Sequence, residues 1–279
     1  MCNINKLSQS RTTVLWLLGW LGLVALVPSC GRGPGASPPP LGSGAPGGSA
    51  VSGPALPVDR IAIVGASISA GFGGTPFGEA FTAAAPRSKV DAAANVMLFR
   101  DPMAEIRRQV AQAKAFNPTT VVAVDLLFWT VYGSSDRAWH DAALAAGIAE
   151  LEALRAAGAW IIVGDIPLIT TASEFMLPKA AIPSAELLGA ANNSIRELAS
   201  RERVLLVPLT AWTEPLRAGT EVALTGGDKV PAASLMALDG LHANPLGVWY
   251  LLDRLDQYIE EKLPGTPRDA LVFKRPPAE

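Results

Sequence analysis

From Arg60 to Gly74 the chain reads Arg-Ile-Ala-Ile-Val-Gly-Ala-Ser-Ile-Ser-Ala-Gly-Phe-Gly-Gly. The run Ile61–Val64 is apolar throughout, which is typical of a strand buried on both faces of a parallel sheet. Gly65 then allows the backbone to turn sharply. Ser67 is therefore predicted to lie just beyond the carboxyl end of a central strand, where open α/β sheets place their ligands. A turn that only joins strand to helix is the alternative, because a lone serine is a weak nucleophile.

Further apolar runs follow along the chain, and amphipathic helical patterns separate them. This alternation predicts a three-layer, doubly wound α/β/α fold of the flavodoxin-like type, with a parallel sheet of about five strands. Residues 219–238 are predicted to be an irregular connection. The predicted later strands are Val96–Phe99, Thr119–Trp129, Trp160–Val163 and Val204–Val207, and the main predicted helices are Pro102–Phe116, Asp136–Ala157, Ser184–Ala199 and Pro245–Leu263.

Residues 1–29 have the order of a secretory signal peptide. Lys6 and Arg11 precede an apolar run over residues 13–27, which is shorter than the roughly 20 residues of a membrane span. The ending Val27-Pro28-Ser29-Cys30 resembles the lipobox of bacterial lipoproteins, although Pro28 departs from the usual small residue. Cys30 is thus the predicted lipidation site, and an ordinary cleaved leader or an uncleaved anchor is the alternative. The protein is expected to be exported to the cell envelope and held at a membrane.

The rest of the chain divides by composition. Residues 30–57 are dominated by Gly, Pro, Ala and Ser and read as a flexible linker. Residues 58–265 have the length of one α/β domain, and residues 266–279 are predicted to be a polar, frayed tail. Because Cys2 and Cys30 are the only cysteines, the domain itself has no disulfide, cysteine nucleophile or thiolate metal ligand.

The charge balance excludes some classes of partner. With 23 basic and 25 acidic residues, the formal net charge is −2. Such a chain has no large positive field to attract nucleic acid. A monomer that binds no nucleic acid is expected.

Only two histidines are present. His140 lies near the start of a predicted helix, where packing or solvation is the expected role. His242 stands in a turn before the last helix, three residues after Asp239. That spacing lets a carboxylate bond one ring nitrogen and leave the other free, as a general base requires. A helix-entry histidine bonded only to backbone is the alternative.

Taken together, these segments resemble the SGNH or GDSL family of serine esterases and acylhydrolases. The segment Gly65-Ala66-Ser67-Ile68-Ser69-Ala70-Gly71 is similar to the family's first block, Gly-Asp-Ser-Leu-Ser-x-Gly, and Asp239-Gly240-Leu241-His242 is similar to its last block, Asp-x-x-His. The resemblance implies Ser67 as nucleophile, His242 as base and Asp239 as the group that orients the base. It implies no metal and no organic cofactor.

The chain departs from the family in the groups that stabilise the oxyanion. A glycine amide and an asparagine side chain are usual there, but the corresponding segments read Leu98-Phe99-Arg100-Asp101 and Asp125-Leu126-Leu127-Phe128. Loss of one such donor costs about 100- to 1000-fold in rate. The Ser67 amide remains, and Arg100 is a candidate replacement, since it ends a predicted strand. Asp125 is either a site residue or an acceptor of backbone hydrogen bonds.

The expected activity is hydrolysis of a carboxylic ester through an acyl-enzyme on Ser67. The substrate class stays open between a small ester, an acylated glycan and a lipid. Two alternatives remain: an envelope binding domain with weakened catalysis, and an acyltransferase to a sugar. Aromatic residues follow the strands and are expected to line a pocket or to pack in the core: Phe72, Phe77, Phe128, Trp129 and Tyr132.

Overall fold

The computed structural model describes residues 53–134 and 136–275. The predicted signal peptide, the predicted lipidation site Cys30 and most of the predicted linker lie outside these residues. Within the described part, no helix is both long and apolar enough to cross a membrane.

A five-stranded sheet forms the centre of the fold, with order β2-β1-β3-β4-β5 and every neighbouring pair parallel. This arrangement confirms the predicted α/β class. A separate antiparallel hairpin, β6-β7, lies between β5 and the last helix. The strands are β1 Arg60–Ile63, β2 Lys89–Ala92, β3 Thr120–Ala123, β4 Trp160–Gly164, β5 Val204–Val207, β6 Glu221–Ala223 and β7 Lys229–Pro231.

Helices cover both faces of the sheet because side chains alternate along each strand. On β1, Ala62 faces a core shared with α2, α3 and α4, while Ile61 and Ile63 face one shared with α1 and α7. The predicted three-layer arrangement is thus confirmed. The helices are α1 Phe77–Ala84, α2 Pro102–Phe116, α3 Arg137–Ala156, α4 Ala185–Ala199, α5 Leu209–Trp212, α6 Glu214–Ala218 and α7 Pro245–Lys262.

The predicted second strand at Val96–Phe99 is wrong. Residues Val96–Arg100 form a 3-10 helix, in which Asn95 caps the first turn by accepting the Met97 amide at 2.9 Å. The strand beside β1 is instead β2, an edge strand with the charged sequence Lys-Val-Asp-Ala. Edge strands carry charge because one side faces water, so β2 lacks the apolar run that marks a central strand.

Two other segments also differ from expectation. The third strand ends at Ala123, well before Trp129, because the chain turns at residues 124–127. The connection over residues 219–238 holds the β6-β7 hairpin and a 3-10 helix at Ala232–Leu235. Gly226-Gly227 marks a turn in the sequence. The hairpin was nevertheless missed because the strands on either side of the turn have only three residues each.

The segment after Gly265 is packed onto the domain, so the predicted frayed tail is wrong for residues 266–273. Leu271 is buried, and the Phe273 ring meets Phe81 edge-on at 5.0 Å. The Thr266 hydroxyl accepts the amide of buried Leu56 at 2.8 Å. The two ends of the domain therefore support each other.

Helix α7 carries three acidic residues on one side, and this makes stability depend on pH. Burial, and then the charges of Glu260 and Asp253, raise the pKa of Asp256 to about 6 from 3.8. Since the folded value lies above the unfolded one, the proton is held more tightly in the folded state. Its stabilising contribution is complete below pH 4 and is lost as pH rises through 6.

Asp256→Asn should therefore be more stable than the wild type at pH 7 to 8 and equally stable at pH 4. Because solvent screens a partly exposed group, we expect the free energy of unfolding to rise by about 1 kcal/mol, which corresponds to about 2 to 4 °C in Tm. Thermal unfolding followed by circular dichroism between pH 4 and 8 measures this difference. Glu261→Gln removes a charge from an exposed position of the same helix and should leave the pH dependence of Tm unchanged.

Candidate active site

The turn after β1 presents Ser67 at the carboxyl end of the sheet. Gly65 makes this turn possible because a Cβ there would lie 2.2 Å from Asp125 Oδ1 and 2.5 Å from Ser69 Oγ. No other residue fits without moving these groups. The Ser67 side chain is partly exposed, and its carbonyl accepts the Phe72 amide at 2.8 Å.

Asp125 holds this turn in place with four hydrogen bonds. Its Oδ1 accepts the Ala66 amide at 3.1 Å and the Ser69 hydroxyl at 2.6 Å. Its Oδ2 accepts the amides of Ile68 at 2.9 Å and Ser69 at 3.2 Å. Burial raises the pKa of the Asp125 carboxyl, and these hydrogen bonds oppose the rise. Asp125 thus organises the residues on both sides of Ser67 through their backbone, as the backbone alternative predicted.

Gln109 completes the support of the turn from helix α2. Its Oε1 accepts the Gly65 amide at 2.7 Å, and its Nε2 donates to the Gly65 carbonyl at 3.0 Å. The amides of residues 65, 66, 68 and 69 are therefore all bonded to two buried side chains. The Ser67 amide donates no hydrogen bond to any residue that the structure describes. It is left available to a ligand oxygen.

Asp239 and His242 form a close pair in the loop before α7. His242 Nδ1 lies 2.7 Å from Asp239 Oδ2, while Asp239 Oδ1 accepts the amides of Leu241 and His242, each at 2.9 Å. Gly240 between them has φ +66°, and a Cβ there would lie 2.1 Å from the Thr171 carbonyl oxygen. The short turn therefore fixes the carboxylate against the imidazole.

The charge of Asp239 is stabilised by the same contacts. Burial alone would raise the pKa of this carboxyl, but the hydrogen bonds from the His242 amide, the His242 ring and the Leu241 amide outweigh burial. Its pKa consequently lies below the ordinary value. An ionised Asp239 accepts a hydrogen bond from Nδ1–H, which favours the tautomer with an unprotonated Nε2.

Ser67 and His242 lie near the same cavity, although they are far apart in the sequence. The Phe72 ring, in the Ser67 turn, lies 4.2 Å from the His242 ring between centroids. Ser67 lines a cavity together with Leu241 and Ala243, the neighbours of His242. Among the hydrogen bonds of the described residues, none joins Ser67 Oγ to His242 Nε2, and catalytic contacts of this kind often tighten only when substrate binds.

The cavity beside Ser67 has a volume of about 140 Å³ and a mainly apolar wall. Ser67, Ile68 and Trp129 form part of the wall. Another part comes from the segment between β5 and α7, which includes Leu216, Val222, Ala232 and Leu235. Among the residues that the structure describes, no lysine, arginine or histidine lines it.

The structure places Arg100 away from the cavity. The residue ends the 3-10 helix over residues 96–100, its side chain is exposed, and it is absent from the cavity wall. The position that matches the family's asparagine holds Leu127, which is buried and apolar. The Ser67 amide is thus the oxyanion donor that the described geometry supports, while the role of Arg100 stays a prediction.

The remaining candidates have local explanations. His140 is buried, with Nδ1 3.0 Å from the Thr130 carbonyl and Nε2 2.8 Å from the Ser134 carbonyl. Among the aromatic residues, Phe77 and Tyr132 pack in the core, whereas Phe128 and Trp129 line the cavity. Within residues 53–134 and 136–275, no three His, Cys, Asp or Glu side chains are grouped to hold a metal ion.

The two residues that brace the Ser67 turn were only partly visible in the sequence. Asp125 stood out as a carboxylate in an apolar segment, but its partners come from residues 66–69. Gln109 is a polar residue on the buried side of α2, beside Ile106, Val110 and Ala113. The sequence analysis did not single out Gln109, although an isolated polar residue on an apolar helix face is a signal that could have identified it.

Asp125→Asn should lower kcat about 100-fold with a smaller change in KM, because an amide nitrogen cannot accept two of the turn's hydrogen bonds and Ser67 is displaced. A misplacement of about 1 Å is enough for such a loss. Steady-state kinetics and Tm measure the effect. Asp101→Asn is the matched control, since Asp101 accepts the Ala104 amide as the cap of α2 but is exposed and does not line the cavity. A kcat within twofold of wild type would contradict the positioning role.

No protein-family model matches the chain. No curated protein matches it either. Several solved structures are similar to it at low sequence identity. They are named as acylhydrolases, lipases and esterases, as the sequence motifs predict.

One similar structure is described as an acylhydrolase from Bacteroides fragilis, with 15% identity over 76% of this chain and 92% of that one and a TM-score of 0.45. A GDSL-like lipase from Bacteroides thetaiotaomicron has 14% identity, covers 76% of this chain and 93% of its own, and gives a TM-score of 0.44. An acetylxylan esterase variant from Geobacillus stearothermophilus has 15% identity, with 74% and 94% covered and a TM-score of 0.47. The case for a function of this chain rests on its own residues.

Proposed function

We propose that the protein is a serine esterase that cleaves a carboxylic ester through an acyl-enzyme on Ser67. The observation that carries the proposal is the Asp239–His242 pair at 2.7 Å, placed beside the cavity on which Ser67 opens. A carboxylate, an imidazole and a hydroxyl at one rim are the groups that nucleophilic acyl transfer needs.

In the proposed reaction, Ser67 Oγ attacks the ester carbonyl while His242 Nε2 takes its proton. The carbonyl oxygen, which becomes negative, accepts a hydrogen bond from the Ser67 amide, whose neighbours are held by Asp125 and Gln109. His242 returns the proton to the departing alkoxide, and the acyl group stays on Ser67. Water, deprotonated by His242, then attacks the acyl-enzyme; the bond between the acyl carbon and Ser67 Oγ breaks, the acid leaves, and His242 returns the proton to Oγ. Asp239 stabilises the imidazolium in both halves.

We place this activity in the cell envelope. The support is the order of charged, apolar and lipobox-like segments before Cys30, followed by a Gly- and Pro-rich linker. Globomycin, which blocks lipoprotein signal cleavage, should cause the unprocessed form to accumulate in a bacterial host. Cys30→Ser should release the protein from the membrane fraction. A Cys30→Ser protein that stays in that fraction would contradict a lipid anchor.

A fluorophosphonate probe tests the esterase proposal, because it reacts with an activated serine and mimics the first step. The purified protein should gain the mass of the phosphonyl group, and peptide mapping should place the group on Ser67. Short p-nitrophenyl esters should be turned over at the same time. No labelling and no turnover would overturn the proposal.

A binding domain with weakened catalysis is the second candidate. It is favoured by one observation, the buried Leu127 where the family has an oxyanion-binding asparagine. Labelling of Ser67 without turnover of any ester would support this candidate. An acyltransferase is distinguished by its products, since an added sugar acceptor would then capture the acyl group in place of water.

A further inference from the structure

We propose that the cavity beside Ser67 binds the acyl chain of the ester, and that it selects neutral acyl groups of about six carbons. This inference rests on the proposed function, because the chain enters the cavity only when its carbonyl carbon reaches Ser67. It adds the class of substrate, which the triad alone leaves open.

The lining of the cavity supports an acyl chain. Ser67, where the carbonyl carbon must be held, is part of the wall. Apolar side chains of α6, β6 and the 3-10 helix at Ala232–Leu235 line the same cavity: Leu216, Val222, Ala232 and Leu235. A chain whose carbonyl carbon is held at Ser67 would therefore lie against apolar side chains.

The charges around the cavity exclude anionic acyl groups. The two ionisable acids in the wall are Asp125 and Asp165. Asp125 is bound to the Ser67 turn, and Asp165 accepts the Thr210 amide at 2.7 Å. With no cation in the wall, a carboxylate or phosphate on the chain would meet only acidic and apolar groups. A succinyl ester should therefore be a much poorer substrate than a butyryl ester.

The volume sets the expected chain length. An apolar cavity of about 150 Å³ in another protein holds benzene, which has six heavy atoms. The cavity here, at about 140 Å³, is of the same size. An acetyl group would leave most of this space empty, whereas a chain much longer than hexanoyl would have to leave the cavity or displace its wall.

The experiment varies the two halves of the ester independently. With p-nitrophenyl esters, kcat/KM should rise roughly fourfold for each methylene from acetate to about hexanoate and then level off or fall, because each buried methylene adds its transfer free energy. With ethyl, butyl and hexyl acetates, kcat/KM should change little. Dependence on alcohol length with none on acyl length would overturn the proposal by assigning the cavity to the alcohol.

Two variants test whether residues of the cavity wall set the optimal length of the acyl chain. Ala232→Leu should shorten the optimum by about three carbons, and Leu216→Ala should lengthen it by about three, because each changes the cavity by three side-chain carbons. Leu224→Ala is the matched control, since Leu224 is buried in the same cluster but absent from the cavity wall. It should lower Tm and leave the length profile unchanged.

The outcomes separate this inference from the proposed function. Ser67 labelling and ester turnover with a flat acyl-length profile would overturn the acyl cavity alone. Absence of both labelling and turnover would overturn the esterase itself. An unchanged optimum in both cavity variants would show that the segment between β5 and α7 does not set the length.

Discussion

Ser67→Ala should lower kcat for ester hydrolysis about a millionfold and abolish labelling by a fluorophosphonate. In a serine hydrolase, loss of the nucleophile costs about as much as loss of the whole triad, because the remaining groups have no atom to activate. The residual rate should come only from substrate binding and from the backbone amide of residue 67, which the substitution keeps. Steady-state kinetics with p-nitrophenyl butyrate and intact mass after probe treatment measure the two effects.

The neighbouring serine provides a matched control for Ser67→Ala. Ser69 is buried and donates its hydroxyl to Asp125 Oδ1 at 2.6 Å, so it is held for a structural purpose. Ser69→Ala should lower Tm because a buried hydrogen bond to a charged group is lost, at about 1.5 to 3 kcal/mol. It should keep probe labelling. Ser67→Ala removes a hydroxyl that is partly exposed, so the Tm of this variant should stay within about 2 °C of wild type. If Ser69→Ala abolished labelling and Ser67→Ala did not, the nucleophile would be misassigned.

Most of the sheet could be predicted because its strands are buried on both faces. Val204–Val207 was found at its observed bounds, and the helix after Ser184 ends at Ala199 as expected. These elements are determined by local signals, an apolar run in one case and a capping serine in the other. The edge strand β2 escaped detection since its burial is partial and its sequence is charged.

The candidate site was predictable in part, for a related reason. Asp239 and His242 are three residues apart, so their pairing follows from local geometry. The hydrogen bonds from the Ser67 turn to Asp125 and Gln109 join residues more than 40 positions apart. They depend on how β3 and α2 pack against β1. No spacing rule in the sequence describes such a contact. The absence of the family's glycine and asparagine was visible, but the structure was needed to see that the Ser67 amide is left unbonded by its neighbours.

Asp239→Asn should lower kcat about 10,000-fold while leaving the fold and substrate binding nearly unchanged. In the wild type, Oδ1 accepts hydrogen bonds from two backbone amides, and Oδ2 accepts one from the imidazole Nδ1–H. An asparagine keeps its oxygen where the two amides need an acceptor, which puts its NH₂ group against His242 Nδ1. The imidazole must then accept at Nδ1 and carry its proton on Nε2. This is the wrong tautomer for removing a proton from Ser67, and the same change costs about 10,000-fold in a serine protease.

The prediction for Asp239→Asn separates a catalytic carboxylate from one that only caps a turn. A capping residue would tolerate asparagine, because the two amide hydrogen bonds survive, and activity would then stay near that of the wild type. We expect instead a large loss of kcat with a small change in KM and a Tm within a few degrees. Asp228→Asn, at an exposed residue 3.6 Å from Arg275, removes the same charge and should be fully active. Near-wild-type kcat in Asp239→Asn would mean that His242 does not depend on its carboxylate, and the proposed proton transfer would have to be abandoned.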